Sequence, residues 1–408
     1  MALPVLRSLD AFPVDHNGQR YICLRDPEGF VEEQILLTPP AFFIAYQLDG
    51  QNDVTDIQYA FARQFQGQIL RRDDIDTVVQ YLDTHGLLHT ERFVAIRQHV
   101  ERTFADAVVR PAYLAGKSYP PQSGQLRAFL DACFRHDKGP GTPPVAHQGA
   151  GLPARCLIAP HIDFHRGGHS YAHGYLRLFK HGQPHTVFIF GVAHATPPVP
   201  FILTRKHFQT PFGTLETDQD IVRRLEAVCT WEPYADEIVH RTEHSIEFQA
   251  VMLAYLYGPS VRIVPILCGL FGPEIAPGEP VIPAPVTTFL EVCQDIASAS
   301  SQVSVIAGAD LAHVGRRFGD PFEIDSTVVR GVEQRDREDL QRVTAGDAEG
   351  FYRSVMQDRN QRRVCGLNCI YAALRTVQGL VPAGELVHYD SAPDPSGGIV
   401  SFANVFFS

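Results

Sequence analysis

A chain of 408 residues has room for two or three domains, and its 45% hydrophobic and 20% charged residues are ordinary for a soluble globular protein. A formal net charge of −11 argues against nonspecific binding to nucleic acid or to an anionic membrane, since both reward basic surface. The opening residues lack a basic segment followed by an apolar one, no apolar stretch approaches the ~20 residues of a membrane span, and the eight cysteines are scattered, so a reduced cytoplasmic protein is expected.

The first hundred or so residues read as a small unit. Residues 20–25 (RYICLR) suit a strand and residues 34–37 another. Thr38-Pro39 opens a helix over 40–47, with Thr38 as N-cap and Pro39 at the first helical position. Residues 55–65 bring Ile57, Phe61 and Phe65 onto one helical face, and 72–83 do the same with Ile75, Val78, Val79 and Leu82. Leu87-Leu88 is then expected to run into a wing strand, and 91–107 into a connecting helix. This order resembles a winged-helix fold. More narrowly, LLTPPAFFIAYQLDG, followed by a helix pair ending in GLL, resembles the PqqD-like peptide-recognition domains. The resemblance covers residues 1–105 and implies peptide or partner binding, the other reading being a structural helical cap.

Beyond RPAYLAGKSYPP (110–121) comes a helical stretch at 125–134, then a loop rich in Gly, Pro and His over 135–154. A second Pro/Gly-rich loop spans 272–285, ahead of a helix near 288–298. Between and after these lie four short apolar runs. Residues 156–159 lead to Pro160-His161, 186–191 to His194, and 303–308 to Asp310 and His313, whereas 261–267 end at Cys268-Gly269 without such a group. Short apolar runs separated by helical stretches argue parallel strands buried on both faces, and such sheets bind ligands beyond their carboxyl ends. Three strand ends delivering His, His and Asp/His to one edge therefore make a site hypothesis.

Other histidines compete for attention. His161, His165, His169 and His173 recur every four residues, but Gly167-Gly168 is expected to break the helix, so that His169 and His173 share a face as solvated or capping groups. His240-Arg241-Thr242-Glu243-His244 matches the H-x-x-E-H pattern of inverted zinc peptidases. The apolar helical pattern starts only after His244, which leaves His240 and Arg241 in a loop and makes the peptidase a minor alternative. Cys365 follows Arg362-Arg363 and precedes a helix over 367–377, a setting expected to lower the thiol's pKa and to suit it as nucleophile or metal ligand. No further Cys or His pair nearby completes a structural zinc or iron–sulfur set, and a mixed His/Cys site suits iron, copper or zinc.

The ordered segments LIAPHIDFHRGG, VFIFGVAHA, TPFGTLETD, EHSIEFQ, VPILCG, GADLAHVG and VCGLNCIYAAL, with AGKSYPP ahead of them, resemble the Memo family, known in bacteria and archaea as AmmeMemoRadiSam system protein B. The resemblance covers residues from about 110 to the end. It implies an α/β core similar to class III extradiol dioxygenases, which are non-haem iron enzymes. It also implies a site of His161, His194, His244, Asp310, His313 and Cys365, of which His244 is reached through the family alone. Residues 162–166, Ala195 and Cys369 depart from the family's usual Gly-Tyr, second histidine and proline, so the pocket rim is expected to suit a different ligand.

The combined expectation is a Memo-like α/β domain over 106–408 holding one mononuclear metal ion, after a winged-helix-like α+β domain over 1–105. His161, His194 and Cys365 are the expected ligands. His244, Asp310 and His313 are the expected catalytic residues, with His313 as general base and Asp310 fixing its tautomer. The family implies a redox enzyme, most simply iron-dependent, with a radical-SAM partner and a peptide or small-molecule substrate. A non-catalytic protein holding a metal or peptide in the same pocket is the alternative from another class.

Overall fold

The computed structural model describes residues 3–16, 18–144, 151–271 and 282–408, and the chain falls into two units, 1–106 and 107–408. Most of the loop expected over 272–285, and residues 145–150 of the loop expected over 135–154, lie outside the described residues.

In the first unit β1 (Asp10–His16), β2 (Gln19–Arg25) and β3 (Ile35–Leu37) form an antiparallel sheet in that order. The helices α1 (Pro39–Tyr46), α2 (Val54–Gln64), α3 (Arg72–Thr84) and α4 (Glu91–Asp106) follow. Thr38 does cap α1, accepting from the Ala41 N–H, and Asp53 with Asp56 builds a reciprocal cap on α2. Leu24, Ile35, Leu37, Ile44, Ile57, Phe61, Ile75, Leu82 and Leu88 fill the core. The expected wing does not form: Leu88 makes only an isolated antiparallel bridge to Leu6, so this segment ties down the N-terminal residues instead of building a hairpin. The unit is α+β.

In the second unit β4 (Val109–Arg110), α5 (Ser123–Arg135), β5 (Cys156–Ala159), α6 (Phe164–Phe179) and β6 (Thr186–Val192) come first. Then follow β7 (Phe201–Leu203), β8 (His207–Thr210), β9 (Gly213–Leu215), α7 (Gln219–Glu226), α8 (Val239–Thr242), α9 (His244–Tyr257) and β10 (Arg262–Cys268). The chain closes with α10 (Ala284–Ala299), β11 (Val303–Gly308), β12 (His313–Gly315), α11 (Ser326–Thr344), α12 (Ala348–Met356), α13 (Leu367–Thr376), β13 (Glu385–Asp394) and β14 (Gly398–Phe407).

One eight-stranded mixed sheet, ordered β12-β14-β5-β11-β6-β10-β7 with β13 on β14, dominates this unit. Its centre, β5-β11-β6-β10, is parallel throughout and consists of the four apolar runs. Every residue of β5, β6 and β11 is buried, as strands covered on both faces require. Alternation splits them between two layers. Cys156, Ile158, Phe188 and Phe190 pack with α7, α10, α12 and α13, while Leu157, Ala159, Val187 and Ile189 pack with α5, α6 and α9. The hairpin β13–β14, to which the sequence reading assigned nothing, adds antiparallel strands beside β5. Among the described residues no helix is long and apolar enough to cross a membrane.

Candidate metal centre

Register explains why the strand ends converge. Gly308 of β11 pairs with Ala159 of β5 on one side and Gly191 of β6 on the other, so the three strands end in one row. His161 and Asp310 lie two residues past that row and His194 three. Neighbouring strands sit about 4.8 Å apart, so side chains leaving their tips share one small volume.

The helix α9 brings a fourth contributor. A Cβ on Gly191 would lie 2.5 Å from Ile246 Cγ1, and one on Gly308 would lie 2.5 Å from the Ser245 carbonyl oxygen. Only glycine at both positions lets the start of α9 seat directly on the strand ends. Ser245 Oγ donates to the Val192 carbonyl (3.0 Å) and Gln249 Nε2 to the Pro160 carbonyl (2.9 Å), which fastens it there. Behind it Arg110, fully buried, donates to the carbonyls of His240 (2.5 Å) and Glu243 (3.0 Å) and pairs with Glu247 at 2.6 Å. Tyr119 and the Leu114 N–H also bond to Glu247. The RPAYLAGKSYPP segment thus locks EHSIEFQ in place.

Cys365 arrives by a similar close approach. A Cβ on Gly366 would lie 2.5 Å from that of Ala309, and the Gly366 N–H donates to the Asp310 carbonyl at 3.0 Å. This brings Cys365 Sγ to 3.3 Å from His161 Nε2. One ligating atom each from His161, His194 and Cys365 lies within 4.8 Å of the others.

The ring orientations are set from behind. His161 Nδ1 donates to the Gly308 carbonyl (2.8 Å), so its Nε2 carries the lone pair that faces Cys365. His194 Nδ1 lies 3.0 Å from Glu243 Oε1, and its backbone N–H donates to Oε2 at 3.0 Å. That carboxylate also accepts the His244 and Ser245 N–H groups, capping α9, and lies 3.2 Å from His244 Nδ1. One buried glutamate therefore serves two imidazoles and a helix N-terminus. Burial works to raise the Glu243 pKa, but His194, His244 and the backbone donor outweigh it and hold the acid well below its ordinary range. In the sequence Glu243 stood out only as part of the peptidase pattern and of the segment EHSIEFQ, with no role of its own. Its position immediately before the apolar run of α9 was the N-cap signal that could have identified it.

Burial lowers His161 well below the ordinary histidine value, with His194 and His244 adding to the effect. His194 is lifted well above it, because Glu243 and Cys365 outweigh burial, although 39% of the side chain still meets solvent. His244 stacks on His194 with ring centres 4.7 Å apart and is brought down to about 4 by burial. Three sequence expectations need correction here. Arg362 faces Asp336 and Asp339, and Arg363 faces Asp320, so neither activates the thiol; burial pushes Cys365 up to about 11. Asp310 does not orient His313. It accepts the His161 N–H (2.9 Å) and is raised to about 7 by burial, whereas His313 Nδ1 lies 3.1 Å from the Leu311 carbonyl. Gly167-Gly168 do not break the helix: α6 runs through them, and glycine stands there because a Cβ would strike Ile162 or Cys133.

The H-x-x-E-H histidines do not converge. His240 lies on the short helix α8, not in a loop, buried with Nε2 3.1 Å from the Ile202 carbonyl, while His244 faces the centre. Two imidazoles, of which His194 must first give up its second proton, and one thiol fit a metal that tolerates soft donors, and a coordinating ion deprotonates such a thiol outright. Three donors leave at least one coordination position open.

The profile of the family described as Memo-like protein matches residues 110–405. A MEMO1 family protein of Aquifex aeolicus is 28% identical over 407 residues, 99% of each chain. MEMO1 family protein MK0963 of Methanopyrus kandleri is 29% identical over 306 residues, 73% of this chain and 98% of its own. MEMO1 family protein TTHA0924 of Thermus thermophilus is 29% identical over 316 residues, 76% of this chain and 85% of its own. The Aquifex relative thus matches nearly the whole chain, whereas the Methanopyrus relative is used up on about three quarters of it.

Proposed function

This chain belongs to the Memo-like protein family, and from that premise we propose that it is a redox enzyme with one mononuclear metal ion, iron in the first instance, held by His161, His194 and Cys365. The observation that carries the reading is the convergence of those three ligating atoms within 4.8 Å, with both imidazoles tied at Nδ1. The ion, when bound, supplies the electron-transfer and Lewis-acid capacity that no side chain here has.

The protein's own residues prepare the pocket for that work. His313, brought down to about 4 by burial against the pull of its bonds to the Leu311 and Arg363 backbone, is neutral at pH 7 and is the group proposed to take a proton from a substrate. Asp310 holds the His161 backbone and so the position of that ring. His244 forms one wall of the opening. A peptide or small-molecule substrate and a radical-SAM partner belong to the same proposal on family context, and a pull-down with the radical-SAM candidate tests the latter.

The central test is elemental analysis of anaerobically purified protein, followed by oxygen consumption with candidate substrates. His313→Ala should keep the metal and lose turnover. Tight metal without oxygen uptake, and without a spectral response to nitric oxide or azide, would favour the non-catalytic reading. Loss of metal from His313→Ala at native stability would make His313 a ligand instead of a base.

A further inference from the structure

A second group of histidines lies apart from the strand ends, between α6 and the β13–β14 hairpin. His169 comes from the helix, and His388 and Asp390 come from β13, two residues apart and so on one face of the strand. One ligating atom from each lies within 4.8 Å of the others. His169 Nε2 is 2.8 Å from Asp390 Oδ2, and the two side chains are only 10% and 19% exposed.

The supporting contacts resemble those that orient ligands elsewhere. His388 Nδ1 lies 3.1 Å from Ser170 Oγ, which Asn404 Nδ2 holds at 2.8 Å. The His388 ring stacks on His173 at 4.5 Å, and His173 is itself tied through Nε2 to the Lys138 carbonyl at 2.8 Å. Asp390 Oδ1 accepts the Ser391 N–H, which leaves Oδ2 as the oxygen turned toward the imidazoles. One imidazole held from behind by Ser170, a second already turned to the carboxylate, and the carboxylate itself are a donor set for zinc or a similar borderline divalent ion. The cation now on Oδ2 is the Lys138 ammonium at 2.7 Å, on a side chain 59% exposed and therefore cheaply displaced.

We propose that His169, His388 and Asp390 form a second divalent-metal site, of the zinc class, with Lys138 as its built-in competitor. Occupied, the site fastens α6, which begins three residues after His161, to the hairpin whose β14 runs beside β5. It therefore clamps the segment between β5 and α6, which carries His161, without taking part at the strand-end centre.

Zinc titration of the full-length Cys365→Ser variant tests this with the first centre silenced, so that the two metal proposals fail separately. One equivalent should bind and raise the melting temperature by roughly 5 °C at a hundredfold excess over Kd. Adding His169→Ala or Asp390→Asn should weaken zinc by about 100-fold and remove the thermal shift. Adding Lys138→Met, which removes an exposed ammonium and keeps the backbone carbonyl that holds His173, should tighten zinc about two- to fivefold. Zinc affinity unchanged by His169→Ala and Asp390→Asn overturns the site, as does weaker binding in Lys138→Met. Should His169→Ala fail to fold, the direction of the Lys138→Met change decides alone.

Discussion

The strand-end centre and the cluster beside α6 each pair two histidines with one acidic donor, a thiol in the first and a carboxylate in the second, and differ in what stands behind them. At the strand ends the imidazoles back onto a main-chain carbonyl (Gly308) and a buried carboxylate (Glu243), and the thiol rests against the Asp310 carbonyl. Beside α6 the carboxylate is shared with an exposed lysine, and one imidazole leans on a serine. Orientation in the first case comes from strand register and helix docking, which cannot relax without moving the core. In the second it comes from side chains near the surface, which exchange partners at little cost. Histidine spacing is therefore a poor guide to the better-built site. The conspicuous four-residue repeat on α6 sends His165 against Phe129, His169 to Asp390 and His173 to the Lys138 carbonyl, and none of them to the strand ends.

The contrast is most exposed at Cys365. Cys365→Ser should abolish metal binding at the strand-end centre at micromolar concentrations, by chelator competition, and leave the α6 cluster untouched. Cys369→Ser, one turn along α13 and turned toward Cys268, should hold metal as the parent does. A Cys365→Ser protein with parental affinity at the strand ends would remove the thiolate from the ligand set.

Proton release comes next in size. Binding at the strand ends requires the Cys365 thiol, raised to about 11, and the raised His194 to lose their protons. Acid keeps those protons on, so affinity should fall as pH falls, by about 100-fold per pH unit between pH 8 and 6 for two protons released. A flat profile would mean that the apo centre is already deprotonated. Glu243→Gln removes the carboxylate that favours protonated His194 and supports its ring, so it should weaken metal by about 10- to 100-fold and lower that pH slope toward one proton. No comparable loss is expected at the α6 cluster, which Glu243 does not touch.

The smallest effects test the boundaries of the comparison. His240→Gln should change metal affinity by less than about twofold, while the lost bond to the Ile202 carbonyl costs about 1–3 kcal/mol of stability. Deleting residues 1–106 should leave the metal content of 107–408 unchanged, since among the described residues no metal-holding group of histidine, cysteine and acid falls in the first unit. A folded truncation that loses its metal would join the two units functionally.

Much of the architecture could be read from the chain alone. Four apolar runs became the four parallel strands at the centre of the sheet, because strands buried on both faces need an unbroken apolar sequence. Their ends marked His161, His194, Asp310 and His313, because the polar residue that follows a buried strand emerges at the sheet's carboxyl edge. Local patterns of burial and capping are written residue by residue, so Thr38 and the helix after Cys365 were legible too. Tertiary structure alone decided the rest. Glu243 became the support of two imidazoles only because Gly191 and Gly308 let α9 settle on the strand ends. The two arginines before Cys365 turned away because Asp320, Asp336 and Asp339, from a loop and a helix earlier in the chain, were there to receive them. A hydrogen-bond partner or a thiol's protonation depends on which distant segments pack within a few ångströms, and that proximity has no local signature in the sequence.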